Sequence, residues 1–255
     1  MPVFSTDAIV LKQFDLGEAD KIITFYSKDR GKVRAVANNV RKTNSRMSGL
    51  VLPFSYNRIK IYRGSSLDKI NQVQVKYSFS KLREDLSRMA YATYMAEIVE
   101  KVGMEDDSEP QIFSLLLSTF HKMVDLPEKK LGYLNLTFKL RILAVIGFKP
   151  ELEDCAECGQ KINISSRNVF DIALGGLLCE QCSSGGNKDN KINLSGEVYQ
   201  IIKMVYDSGL KFPKNLQLSR KGFKQLENLL DKFIKYHLDI YLKSQEFLYM
   251  IRDLG

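Results

Sequence analysis

The spacing of hydrophobic and polar positions changes near residue 80. Before that point, short runs rich in β-branched and aromatic residues alternate with polar turns. In "NRIKIYR", Ile59 and Ile61 alternate with Arg58, Lys60 and Tyr62, so one face of this strand can enter a core while the other meets solvent or a ligand. The predicted strands are "DAIVLKQF", "KIITFYS", "KVRAVANNV", "FSYNRIKIY" and "INQVQVKY". Five strands in about 80 residues predict a closed OB-fold barrel, and a small SH3-like barrel fits the same count.

After Tyr77 the apolar spacing becomes helical. Three helices are predicted in "SKLREDLSRMAYATYMAEIVEKVG", "EPQIFSLLLSTFHKMVDL" and "PEKKLGYLNLTFKLRILAVIGF", and two later ones in "SGEVYQIIKMVYDSG" and "RKGFKQLENLLDKFIKYHLDIYLKS". A cysteine-containing segment separates the two groups and ends in "SSGGNKDNK", which we predict to be a short flexible exit. The predicted fold class is α+β. It comprises an N-terminal OB-fold β-barrel at residues 1–80, a helical domain at 81–150 and 192–255, and an inserted four-cysteine zinc ribbon at 151–191.

All four cysteines of the chain lie in the inserted module, as the pairs Cys155-x2-Cys158 and Cys179-x2-Cys182. The 20 residues between the pairs reach the upper end of the zinc-ribbon spacing, which is about 15 to 20. Gly159 permits a tight turn, and "NVFDIALGGLLC" predicts a hairpin between the pairs. Four thiolates leave Zn2+ no open position for water, so the predicted zinc is structural. Free thiols or a redox pair fit this arrangement less well, and an iron–sulfur cluster stays open as an alternative.

Positive charge is concentrated in the barrel segment. Residues 1–80 contain 14 Lys or Arg against six Asp or Glu, whereas residues 81–255 contain 24 of each. This segregation predicts a polyanionic partner, most simply a nucleic acid backbone. The candidate DNA contacts are Lys28, Arg30, Lys32, Arg34, Arg41, Lys42 and Arg46, with Arg58, Lys60 and Arg63 as a weaker second set. Tyr26, Tyr56 and Tyr62 are candidates for stacking on bases, although aromatic residues in so small a barrel more often belong to the core.

Catalytic motifs are absent from the sequence, which has no P-loop, no Gly-x-Gly-x-x-Gly after a strand and no His-Glu-x-x-His. His121 and His237 are interpreted as ordinary helix residues. Asp15, Glu18 and Asp20 could suggest a two-metal site, but no further carboxylate cluster accompanies them, so we interpret them as an acidic turn between strands. The prediction is a binding protein and not an enzyme.

The N-terminus does not have the pattern of a secretion signal, and no window approaches the ~18 to 20 apolar residues of a membrane span. We therefore expect a cytoplasmic, nucleoid-associated protein with no membrane partner. In the cytosol thiols stay reduced, which favours metal ligation over disulfides for the four cysteines.

Two blocks of sequence resemble the RecO family of bacterial recombination mediators. They are "GEADKIITFYS" followed by "GK" in the barrel, and "GFKP" followed by "CAECG" at the ribbon. The resemblance covers essentially the whole chain and extends to "YLKSQEF" in the last helical segment. It implies DNA repair and homologous recombination, an OB-fold that binds single- and double-stranded DNA, and annealing of complementary strands. It also implies partnership with RecR and with the single-stranded DNA-binding protein, and help in loading the RecA recombinase onto DNA coated by that protein.

The resemblance further suggests that the helical domain captures the acidic C-terminal tail of the single-stranded DNA-binding protein. A receptor for such a tail needs a cation beside an apolar notch. The candidates are Lys139 and Arg141, which Phe138, Leu140 and Ile142 flank. The alternative interpretation is that the apolar residues are core and the two cations are solvated helix positions.

Two other functions remain as alternatives. A zinc-containing nucleic-acid-processing enzyme, such as a nuclease or a transferase, would need carboxylates that hold Mg2+. A structural adaptor would use the barrel to bind protein. Binding, annealing and turnover of labelled DNA distinguish the three.

Overall fold

The computed structural model of the protein describes residues 3–162, 168–209, 212 and 217–254. The chain divides into two compact units, one formed by residues 1–131 and 242–255 and the other by residues 132–241. Within the described part of the chain, no helix combines the length and the apolar character needed to cross a membrane.

The first unit begins with five strands that close into a barrel in the order β1-β2-β3-β5-β4. They are β1 (Val3–Leu16), β2 (Asp20–Ser27), β3 (Gly31–Ala37), β4 (Tyr56–Tyr62) and β5 (Asp68–Tyr77). All neighbouring strands are antiparallel except β3 and β5, which pair in parallel. The five predicted strands and the OB-fold barrel are confirmed.

Alternation along the strands explains why the barrel closes around one core. In β4, Ile59 and Ile61 are fully buried, whereas Arg58, Lys60 and Tyr62 are exposed, as the sequence predicts. Burying such an isoleucine stabilises the fold by about 2 kcal/mol relative to exposure. The core is completed by Val10, Ile23, Phe25, Val33, Ala35 and their neighbours on the other strands.

The described part of the first unit also contains a 3-10 turn (Glu128–Lys130) and four α-helices: α1 (Ser80–Glu84), α2 (Leu86–Val102), α3 (Pro110–Asp125) and α8 (Lys243–Leu254). The single helix predicted at the start of the helical region is divided at Asp85. This residue has an extended backbone, and its side chain accepts a hydrogen bond of 2.7 Å from the amide of Arg88. Asp85 therefore acts as the N-cap that starts α2.

Helix α8 packs on α2 although about 140 residues separate them in sequence. Glu97 of α2 accepts hydrogen bonds from the backbone amides of Lys243 and Ser244, at 3.2 and 2.8 Å. A carboxylate at a helix N-terminus satisfies amides that have no partner within the helix. Leu242 and Leu248 are buried in this contact region.

The second unit combines three longer helices with a small sheet. Its elements are α4 (Leu131–Val145), β6 (Asn168–Asp171), β7 (Gly176–Leu178), α5 (Glu180–Ser183), β8 (Lys191–Leu194), α6 (Gly196–Asp207) and α7 (Arg220–Leu238). The sheet has the order β7-β6-β8, and both pairs are antiparallel. Helix α4 is buried on nearly all sides, and α6 and α7 are amphipathic.

The segment predicted as a flexible exit from the ribbon instead returns to the sheet. Lys188–Asn190 forms a 3-10 turn, and β8 then pairs with β6, with Phe170 opposite Ile192. The Nζ atom of Lys191 donates hydrogen bonds to the carbonyls of Cys182 and Ser183 at 3.1 and 3.0 Å. The sequence "SSGGNKDNK" is polar, but these contacts order its end.

The two compact units do not follow the predicted domain limits, because α1–α3 and α8 group with the barrel by contact. The predicted limits follow the type of secondary structure, and they stay a prediction about domains.

Candidate metal centre and nucleic-acid interface

The four cysteines converge on one point. Their sulfur atoms all lie within 4.8 Å of one another, and the Sγ atoms of Cys158 and Cys179 are 3.7 Å apart. In a tetrahedral site with Zn–S bonds of about 2.3 Å, neighbouring sulfurs lie about 3.8 Å apart. Within the ranges that the structure describes, this is the group of Cys, His, Asp or Glu side chains close enough to hold a metal ion. The geometry therefore fits one four-coordinate metal.

Two turns bring the sulfurs together. In the first, the amide of Gly159 donates to the carbonyl of Cys155 at 2.8 Å, and Gly159 has φ of +73°. A residue with a side chain adopts this backbone only with strain, which explains the glycine. The predicted hairpin is confirmed: β6 and β7 are joined by a turn in which Gly175 also has a positive φ. Strand β7 then delivers Cys179 to the site.

Hydrogen bonds from backbone amides favour the thiolate form of Cys155. Burial opposes ionisation of Cys155, but hydrogen bonds from the amides of Cys179, Cys158 and Glu157 lower its pKa to about 6. The pKa of Cys182 is raised, first by the thiol of Cys179, since crowded thiols cannot all ionise without a cation. A metal ion removes that repulsion, and four protein ligands would leave it no position for a reacting water.

The outward face of the barrel at β4 presents cations to solvent. Arg58 and Lys60 stand on this face, opposite Asp7 and Ser5 of β1. Arg58 forms an ion pair with Asp7 at 3.2 Å, whereas Lys60 has no ion pair in the described part of the chain. The neighbouring strand β5 adds Lys76, which also pairs with Asp7, at 2.8 Å.

The outward face of β3, by contrast, is occupied by the protein itself. The Nζ atom of Lys32 donates to the carbonyl of Glu100 at 3.1 Å, and Arg34 lies 3.7 Å from the Glu100 carboxylate. The same carboxylate pairs with Lys12 at 3.0 Å. Arg34 also pairs with Glu105 at 3.6 Å. Two of the predicted DNA contacts are thus engaged by the end of α2 and the segment that follows it.

A second acidic group in the same segment engages two more predicted contacts. Asp106 accepts a hydrogen bond from Arg63 and lies 3.5 Å from Arg30. The hydrogen bond from Arg63 lowers the pKa of Asp106. Arg30 also stacks over the ring of Phe4 at 4.5 Å. Sequence analysis missed Glu100, Glu105 and Asp106, because no local pattern connects them with cations more than 40 residues away.

The remaining predicted contacts lie at the barrel surface. Arg41 pairs with Asp15 at 3.3 Å and donates to the carbonyl of Gly17 at 2.7 Å. Lys28, Lys42 and Arg46 are exposed and have no ion pair among the residues that the structure describes. With Lys60, these three are the predicted contacts whose charge is free to meet a ligand.

The three tyrosines predicted for stacking occupy different environments. Tyr26 is 1% exposed, and its hydroxyl bonds to the backbone of Glu109, so it belongs to the packed interior. Tyr56 is half-buried and packs on Phe113 at 5.8 Å between ring centroids. Tyr62 is 38% exposed on β4, beside the cations of that strand. Tyr26 therefore agrees with the interpretation that aromatic residues in so small a barrel belong to the core, and its ring offers no face to a base.

The predicted tail receptor on α4 requires a correction. Lys139 is fully buried and pairs with Asp231 at 2.5 Å, and Arg141 is 3% exposed. Arg141 contacts the hydroxyl of Ser208 at 3.2 Å and the ring of Phe212, and burial lowers its pKa to about 10. A receptor for an acidic tail needs cations that solvent can reach, so the prediction for Lys139 and Arg141 is wrong. Both interpretations had placed these side chains at the surface.

Asp15 and Asp20 of the acidic turn form ion pairs and hydrogen bonds within the barrel segment. The turn connects β1 to β2, where Asp15 pairs with Lys21 and Arg41, and Asp20 accepts a hydrogen bond from the amide of Asn39 at 2.6 Å. His121 packs against aromatic rings, and His237 donates to the carbonyl of Ile172 at 2.6 Å. These contacts give each group a packing role.

Comparison with known proteins finds matches to one family along nearly the whole chain. Residues 1–79 match the family described as "Recombination protein O N terminal", and residues 83–246 match "Recombination protein O C terminal". The chain is 33% identical to the DNA repair protein RecO of Symbiobacterium thermophilum over 254 residues, which cover 99% of each chain. It is 33% identical to the same protein of Desulforamulus reducens over 248 residues, which cover 97% of this chain and 94% of the relative. These names support the prediction of a DNA repair protein.

Proposed function

Because the chain belongs to the RecO family of DNA repair proteins, we propose that it is a recombination mediator that binds single- and double-stranded DNA and anneals complementary strands. In this proposal it acts with RecR and helps to load the RecA recombinase onto DNA coated by the single-stranded DNA-binding protein. The barrel makes the primary contact with DNA.

One observation carries the proposal: exposed, unpaired cations stand on a closed five-stranded barrel of OB-fold order. They are Lys28, Lys42, Arg46 and Lys60, and none has an ion pair within the described residues. Such cations bind phosphates mainly by releasing counterions, which requires no base-specific contact. The expected binding is therefore weakly sequence-dependent and strongly salt-dependent.

The barrel cations that are paired with acids can also contribute to DNA binding. Arg41 with Asp15 and Arg30 with Asp106 are pairs at the surface, and surface pairs contribute only ~0 to 1 kcal/mol. A phosphate can replace the carboxylate at such a site at little cost. Lys32 would lose the hydrogen bond from its Nζ atom to the carbonyl of Glu100 if it bound a phosphate, so its use in DNA binding costs more free energy.

The metal in this proposal is a structural zinc ion held by Cys155, Cys158, Cys179 and Cys182. The donor set supports zinc, because four thiolates in a tetrahedron are its usual structural site. Elemental analysis of the purified protein should give one zinc per chain. If the analysis finds iron and the protein absorbs visible light, the four cysteines hold an iron–sulfur cluster and not zinc.

The barrel proposal is tested with Lys42→Gln, Arg46→Gln and Lys60→Gln combined. Loss of three phosphate contacts should lower the slope of log K against log salt by about 2 on single strands, at ~0.7 per contact. Fluorescence anisotropy of a labelled oligonucleotide over a salt series measures this slope. The matched control is Lys101→Gln, Lys129→Gln and Lys130→Gln, which removes three exposed lysines of the same unit outside the barrel.

An unchanged slope in the barrel variant would move the DNA site away from the barrel. An equal loss in the control would mean that net charge, and not position, determines binding. Incubation of labelled single and double strands with Mg2+ separates the enzyme alternative, because cleavage or extension of the DNA would contradict the mediator.

A further inference from the structure

The exposed face of α7 carries a row of cations. The net charge of residues 81–255 does not reveal this row, because acids elsewhere in that region balance the sum. Lys221, Lys224, Lys232 and Lys235 are all exposed, at spacings of three, eight and three residues, which keep them on one side of the helix. Arg220 adds a fifth exposed cation in the first turn. At 1.5 Å per residue, the row from Lys221 to Lys235 is about 21 Å long. We call these five residues the α7 row.

The acids of α7 do not neutralise this row. Glu227 is 7% exposed on the inward side, and Asp231 is engaged by the buried Lys139. At the start of the helix, the carboxylate of Glu197 is held by the amide and hydroxyl of Ser219. In the part of the chain that the structure describes, no member of the α7 row forms an ion pair.

The arrangement is unfavourable for the helix alone. Arg220 and Lys221 occupy the first turn, where the helix dipole favours acids, and α7 itself supplies no acid there; the carboxylate of Glu197 from α6 takes that place. Lys221 and Lys224, like Lys232 and Lys235, are three residues apart, so each pair repels. A polyanion bound along the row would relieve this repulsion.

The opposite face of α7 fixes the row in place. Leu226, Leu229, Leu230, Phe233 and Ile234 are buried, so the helix is anchored and its cations point to solvent. Tyr236 is the one large hydrophobic side chain on α7 that is more than half exposed, at 53%. A helix that inserts into a lipid surface needs an apolar face free for lipid, and the apolar face of α7 is already occupied. The chemistry therefore favours a nucleic acid backbone over a membrane.

We propose that the α7 row is a second nucleic-acid-binding surface, formed by residues of the second compact unit in addition to those of the barrel. Its length corresponds to about six phosphates along one strand of a duplex, at ~3.4 Å per phosphate. The inference rests on the proposed function, since it assigns the second strand needed for annealing to this surface. One chain then holds two strands, one on the barrel and one on α7.

A two-colour bridging assay tests this inference with the full-length protein. Two non-complementary single strands carry a donor and an acceptor dye, and energy transfer reports protein molecules that hold both. Combining Lys221→Gln, Lys224→Gln, Lys232→Gln and Lys235→Gln should reduce transfer at least about tenfold, because four phosphate contacts are lost. Binding of one labelled strand should change less than about threefold, since the barrel is intact. Glutamine keeps the helix propensity of these exposed positions.

The matched control is Lys101→Gln, Lys129→Gln, Lys130→Gln and Lys188→Gln, which removes four exposed lysines from other elements. It should retain energy transfer. The smaller variant Lys224→Gln with Lys232→Gln should give a partial loss, and it keeps the test valid if the fourfold variant does not fold. Circular dichroism establishes folding in each case.

Unchanged transfer in the α7 variants would overturn the inference, as would a loss of anionic-vesicle binding without a loss of bridging. If the wild-type protein binds no DNA, the proposed function fails first and the assay shows it directly. Loss of transfer in both the barrel and the α7 variants, each with one strand still bound, supports two surfaces.

Discussion

The barrel and α7 are both rich in lysine and arginine, but the two regions hold their charge differently. Eight of the 14 cations in residues 1–80 form ion pairs with acids. Three of those acids, Glu100, Glu105 and Asp106, lie outside that segment. On α7, five cations share one surface and no ion pair involves them in the described chain.

This difference shows that the positive charge available to a ligand depends on which cations are paired with acids. The number of Lys and Arg residues in a segment does not determine it. Residues 81–255 are neutral as a whole, yet they contain the acids that engage the barrel and the cations of α7. The second compact unit, residues 132–241, has 15 Lys or Arg against 12 Asp or Glu, and α7 alone has five against two. The excess charge of the second unit therefore equals that of one helix.

The largest effect should come from breaking the metal centre, since the ribbon packs on α7. The rings of Phe170 in β6 and Phe233 in α7 are 6.0 Å apart, and His237 bonds to Ile172. Replacing Cys155 by Ser should remove the metal and with it folding free energy on the order of 10 kcal/mol from this site. Hydrogen exchange should accelerate in β6–β8 and α7 while β1–β5 stay protected.

Binding of a single DNA strand by the barrel should survive this change, which would separate the two surfaces experimentally. Zinc added back to metal-stripped wild-type protein should restore protection, and the same addition to Cys155→Ser should not. Uniform loss of protection in both units would contradict the expectation that the metal stabilises mainly the second unit.

A smaller effect is expected from Lys139→Met, which removes the buried member of the ion pair between Lys139 and Asp231. Removing one partner of a fully buried pair costs about 3 to 5 kcal/mol, and the loss here should be smaller, because the side chain of Asp231 is 19% exposed and solvent screens its charge. Asp231 would also become a negative charge within the α7 row. Chemical denaturation should show the loss of stability, and the double variant Lys139→Met with Asp231→Leu should recover most of it. A stable single variant would mean that the pair is not buried in solution.

The smallest effect is expected from replacing Asp106. Without this carboxylate, Arg30 and Arg63 lose the ion pairs that they form with it, so more of the barrel's charge is available to a ligand, as on α7. Asp106→Asn frees Arg30 and Arg63, and asparagine tolerates the positive φ of 56° at this position. Affinity for single-stranded DNA should rise about two- to threefold, with a steeper salt slope, by anisotropy titration. Glu84→Gln removes one exposed acid that has no ion pair within the described residues, and it should leave both quantities unchanged. Weaker binding by Asp106→Asn would show that Asp106 positions the two arginines for DNA.

The sequence predicted the features that depend on local spacing. Alternation at Ile59 and Ile61 identified β4, and the spacing of the cysteine pairs identified the metal centre. In both cases the relevant period, two residues in a strand and two between paired ligands, is visible without knowledge of the rest of the fold.

The features that depend on long-range contacts were not predicted. Nothing near Asp106 in sequence indicates Arg30, and nothing near Lys139 indicates Asp231. One signal was available for Lys139, because "LNLTFKLRILAVIGF" is apolar around the whole helix, which is typical of a buried helix. A lysine in such a helix is expected to be paired inside the protein and not exposed to a ligand.

The packing of α8 on α2 has a consequence for folding during synthesis. A chain made from its N-terminus supplies the barrel, α2 and α3 first, but Glu97 meets Lys243 and Ser244 only after residue 241 has left the ribosome. The second unit, residues 132–241, is complete in sequence before the first, although the first begins earlier. The nascent barrel unit therefore waits with part of α2 uncovered while another unit is translated, which is the interval in which chaperones protect exposed apolar surface.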